Sequence, residues 1–188
     1  NSSSQFGSDF THILQELNEK SGLKGKITNG VWSTGGSMIQ GKYEHGGFGD
    51  RNFSFAFGGR HTPSFPSTMA CNEEYNGSTW TAAGALSQAT AYNRGVGTGF
   101  AGISFGGTTS NDEWNGLSWS ETEAAPGPTG NGGASGTQNA ANAMGANVPS
   151  EVGLLQYNGT NFSEGPTMSV HNSKYHFGGL GTQDATII

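Results

Sequence analysis

One spacing recurs four times along this chain and limits its fold more than any other feature. From an anchoring aromatic, a glycine follows 17 residues later and a bulky apolar residue 25 later: Trp32, Gly49 and Phe57; Trp80, Gly97 and Phe105; Trp119, Gly136 and Met144; Phe162, Gly179 and Ile187. An Asn-Gly pair precedes every anchor, at Asn29-Gly30, Asn76-Gly77, Asn115-Gly116 and Asn158-Gly159; Thr28, Tyr75, Trp114 and Tyr157 stand before these pairs. Successive anchors are 48, 39 and 43 residues apart. Fixed spacing within units and variable links between them mark a repeat architecture, in which small units bury their apolar faces by stacking on neighbours.

Each unit reads as a strand, an Asn-Gly hairpin, a strand carrying the anchor, a loop, a strand with alternating glycine, and a last strand of small and apolar residues. Asn-Gly suits a type I′ turn, with positive φ at both central residues. Four strands at a spacing near 40 match a propeller blade. The glycine at the 17-residue offset suits an innermost strand, where blades crowd the axis. Glycine is 33 of 188 residues and only 12% are charged, a composition that favours disorder, but the 11% aromatic content is placed periodically and so points to folded β-structure.

Apolar residues ending in Gly-Gly, a variable loop, an aromatic just before a turn and a Trp just after it (SFGGTTSNDEWNGLSW, 104–119) resemble the kelch repeat. The variant EEYNGSTW, followed by a Leu, a Gly-Thr-Gly segment and a strand ending in FGG, is similar to kelch-like repeats in structural proteins of tailed, particularly marine, phages. The resemblance covers roughly residues 25–188. It departs at Ala146, where the second Gly is lost, at the fourth unit, which carries no Gly-Gly after Ile187, and at Phe162, which replaces Trp.

The resemblance implies an all-β, kelch-like propeller of four repeats at residues 25–188, preceded by an N-terminal arm and amphipathic helix at 1–24. The outer two strands of one blade would come from residues 26–33 and the inner two from 175–188. Closure by joining these ends removes exposed strand edges, whereas exchange between chains would build a ring or filament. In the N-terminal part, Phe10, Ile13, Leu14 and Leu17 fall on one helical stripe between Ser8 as cap and Gly22 as stop. That stripe either plugs its own β-domain or docks on a partner. Of the two long links, 60–72 and 121–133, the first offers Phe65, between Pro63 and Pro66, as a candidate partner contact.

The chemistry is sparse. A net charge of −6 with scattered basic residues argues against nucleic acid. No 18-residue apolar run is present, so no membrane insertion is expected. Cys71 is the single cysteine and forms no intrachain disulfide. His12, His45, His61, His171 and His176 show no metal-ligand spacing, and no nucleophile elbow or phosphate loop occurs. The kelch-type copper oxidases invite a comparison at Cys71 and Tyr75, but the histidine ligand motifs are missing. No cofactor, metal or enzymatic activity is expected. Tyr75, Trp114 and Tyr157 read as interblade core, the alternative being a carbohydrate-stacking series. The expected function is that of a virion structural protein, a capsid decoration, fibre or tail component, whose partners are other virion proteins and copies of itself. The alternative is a glycan-binding adhesin module on a virion, or a secreted or cell-surface protein.

Overall fold

The computed structural model describes residues 34–61, 67–144, 153–166 and 178–187, nearly all within one compact unit, Gly35–Ile188. The expected helix with Phe10, Ile13, Leu14 and Leu17, the anchor Trp32, and Phe65 lie outside the described residues. Every regular element among the described residues is a strand.

The first six strands are β1 (Lys42–Tyr43), β2 (Gly46–Gly49), β3 (Ser54–Phe57), β4 (Arg60–His61), β5 (Asn72–Tyr75) and β6 (Trp80–Ala83), and they form two sheets. β2, β3, β5 and β6 pair antiparallel in that order as the first four-stranded sheet, and β1 pairs with β4 as a two-stranded flap. The second sheet is β7 (Arg94–Thr98), β8 (Ala101–Phe105), β9 (Asn111–Trp114) and β10 (Trp119–Glu121). The third is β11 (Gly133–Thr137), β12 (Ala140–Met144), β13 (Leu154–Tyr157) and β14 (Phe162–Glu164). The last described pair is β15 (Leu180–Gly181) with β16 (Thr186–Ile187). β7 lies between β2 and β11, and β11 also meets β15, so the glycine-rich strands stand side by side.

Glycine recurs where that strand turns back. Gly49, Gly97, Gly136 and Gly181 all have positive φ, between 106° and 135°, and pair with Ser54, Gly102, Ala141 and Thr186. A side chain there is strained and would strike the returning strand. The fourth glycine is thus Gly181, not the Gly179 that the 17-residue spacing selects. Two extra residues separate Phe162 from this strand, and Ile187 shifts with it. Ile187 follows Thr186 as Phe55 follows Ser54, so it is not the counterpart of Phe57, Phe105 and Met144, which stand three residues beyond the paired position.

The Asn-Gly turns also differ from expectation. Gly77, Gly116 and Gly159 have φ of 90–93°, but their asparagines do not have positive φ, so the turns are not type I′. Asparagine works through its side chain instead. Asn115 Oδ1 accepts from the N–H groups of Leu117 and Ser118, both at 2.9 Å, and Asn76 and Asn158 repeat the pattern. An Asx acceptor closes the turn and leaves only glycine to take the left-handed conformation.

The core lies between sheets. Phe55, Phe57, Leu86 and Trp114 are buried together, with Phe48, Phe53 and Trp119 packed on them. Val96, Ile103, Phe105, Leu155 and Tyr157 form the second cluster, joined by Phe162. Aromatic rings meet tilted or edge-on, 5.0 Å apart for Phe57–Trp119 and 6.3 Å for Phe105–Phe162, arrangements that suit the ring quadrupoles. The anchor of one sheet therefore packs on the 25-offset residue of the sheet before it.

Candidate functional site

The repeat anchors form an internal scaffold. Phe57 and Phe105 are fully buried and Met144 nearly so. Trp80, Trp119 and Phe162 are half-buried, and Ile187 is 74% exposed. Trp80 donates through Nε1 to the Gly36 carbonyl at 3.1 Å. Of the aromatics weighed as a sugar-stacking series, Trp114 and Tyr157 are core and Tyr75 packs on Trp80. Trp114 Nε1 donates to the Gly99 carbonyl, and Tyr157 Oη donates to Glu113 Oε1 at 3.0 Å. Burial, then this bond, pushes the Tyr157 hydroxyl far above its ordinary range.

Two glutamines that the sequence reading passed over tie sheet to sheet. Gln138, just past β11, donates from Nε2 to the Trp114 and Gly102 carbonyls of the second sheet, at 2.9 and 3.3 Å. Gln183 does the same for the Tyr157 and Ala141 carbonyls of the third, at 3.0 and 3.1 Å. Each stands two residues after the positive-φ glycine, which independently fixes Gly181 as the fourth equivalent. Only a register that includes the two-residue shift would have found this pair.

The surface that this scaffold presents is apolar at its turns. Phe100, in the β7–β8 turn, is 73% exposed, and Leu117, in the β9–β10 turn, is 83% exposed. Gly116 packs on the Phe100 backbone, which brings the two turns together. The Phe100 ring lies 5.2 Å from Phe53 of the neighbouring sheet. Phe100 and Leu117 thus stand exposed on two neighbouring turns of the second sheet, while Phe53, half-buried on the core of the first, supports the Phe100 ring. Exposed apolar side chains in contiguous groups mark contact surfaces, whereas scattered ones do not.

The link at 122–132 is no free rim loop. Ala125 and Thr129 are buried, and Thr129 Oγ1 donates to Asn111 Oδ1 at 2.7 Å. Among the described residues, no group of three or more His, Cys, Asp or Glu side chains is gathered to hold a metal ion, and no helix is long and apolar enough to cross a membrane. Cys71 is a free thiol, 3.6 Å from Lys42 Nζ.

Scaffold and exposed pair together define an all-β repeat protein of stacked four-stranded antiparallel sheets with an apolar turn face. No family model matches this chain, and a search of curated proteins finds no match.

Proposed function

We propose that this chain is a virion structural protein, a capsid decoration, fibre or tail component that acts by protein–protein assembly. The observation that carries assembly is the pair Phe100 and Leu117, large apolar side chains held outward on neighbouring turns of a glycine-rich scaffold. Resemblance to phage kelch-like repeats supplies the setting. Within this reading the fold is a four-bladed propeller, its fourth blade made of β15, β16 and residues 26–33. The exposed faces of Leu180 and Ile187, each 74% accessible, are what such pairing would cover. Repetition supports it: the anchors Trp119 and Phe162 pack on Phe57 and Phe105 of the sheet before.

Mass spectrometry of gradient-purified particles, quantified against the major shell protein, tests the function. A fixed ratio to the shell is expected. Absence from particles that contain the neighbouring structural proteins would overturn it.

A further inference from the structure

A pocket of about 190 Å³ opens where the glycine-rich strands begin. Its wall repeats with the sheets. Three residues before each positive-φ glycine stand Gly46, Arg94, Gly133 and Gly178, and all four line it, as do the residues that follow them. Three copies of the position carry no side chain and the fourth carries a guanidinium. Among the described residues no lining residue is negatively charged, and the other ionisable group there is His45.

Arg94 is half-buried and has no carboxylate partner among the described residues, where the ion pairs are Lys42–Glu73 and Arg60–Glu44. Its Nε donates to the Gly132 carbonyl and its Nη1 to the Asn93 carbonyl. These bonds hold the guanidinium plane across the gap between the second and third sheets. They engage two of its five N–H groups, and the remaining donors keep the fork geometry that matches a carboxylate. Burial without a counter-ion pulls the guanidinium pKa below its ordinary value, so a bound anion would relieve a cost the fold already carries.

We propose that this mouth is an anion site, in which Arg94 binds the carboxylate of a small organic acid. A single guanidinium facing neutral walls balances a monoanion, and glycine at the neighbouring positions lets a ligand approach the backbone. The pocket is smaller than those that hold drug-sized molecules, so the acid is small.

The test is titration of the full chain with sodium acetate, read by amide and Arg Nε resonances, with sodium chloride at equal ionic strength as control. Saturable shifts at Gly46, Gly95 and Gly178 are expected, weakened about tenfold or more in both Arg94→Gln and Arg94→Gly. Arg94→Lys keeps the charge and is expected to bind with intermediate affinity. Shifts no different from chloride, or equal affinity in Arg94→Gln, would overturn the site. So would loss of thermal stability in Arg94→Gln with no acetate binding to the parent chain, which would leave Arg94 a staple between carbonyls.

Discussion

Lys42 and Glu73 form an ion pair at 2.9 Å with side chains 0% and 4% exposed. Glu73 also accepts from the Ile39 and Gln40 N–H groups, at 2.7 and 3.3 Å, and so pins the segment before β1 to β5. Removing one partner strands a buried charge, so Glu73→Gln should lose about 3–5 kcal/mol in urea unfolding. Asp112 behaves in the opposite sense. Burial raises its carboxyl above the ordinary value of 3.8, against the Ser87 N–H that donates to it at 3.2 Å. The folded state then holds this proton more tightly than the unfolded chain does. Asp112 therefore opposes folding at neutral pH, and its unfavourable contribution fades as pH falls through the raised folded value towards 3.8. Thermal melts between pH 4 and 7 should show Asp112→Asn more stable than the parent at the upper end, with the difference shrinking at the lower. Neither carboxylate was legible beforehand, because in a sequence both sit within ordinary polar stretches, NEEY and NDEW. Only β-pairing decides which of those side chains faces inward.

Among the elements, the Gln138 and Gln183 bridges tie the third sheet and the last strand pair to the sheets before them. Replacing Gln138 by Ala removes the donor to two carbonyls at an intersheet seam, for an expected loss of about 1–3 kcal/mol by denaturant unfolding. Replacing its exposed neighbour Thr137 should stay within about 0.5 kcal/mol. Strand content, the four-stranded grouping and the intersheet packing of Trp119 on Phe57 and Phe162 on Phe105 were readable from spacing. The fourth register was not. Gly178-Gly179 places a glycine at the 17-residue offset by accident of a glycine-rich text, while the strand's bend sits at Gly181. The turn type was misread for a related reason: Asn-Gly names the pair, but the Asx hydrogen bond decides which of its members bends.

At the scale of the whole molecule, the described residues form three four-stranded sheets and a further strand pair that stack side by side, with anchor upon apolar partner at two seams and glutamine upon carbonyl at two. Alternating residues and punctuating glycines announced that plan. The apolar turn face did not show, since the exposure of Phe100 and Leu117 depends on two turns meeting through Gly116. The closed propeller we propose requires residues 26–33 to complete a fourth sheet within one chain. Hydrogen–deuterium exchange of the monomeric fraction tests it most directly. The account predicts that amides of 26–33 and of β16 exchange as slowly as those of β5 and β6, because ladder hydrogen bonds would protect both alike. Exchange of 26–33 at the rate of an unstructured peptide, in a monomer whose β5 and β6 stay protected, would contradict it.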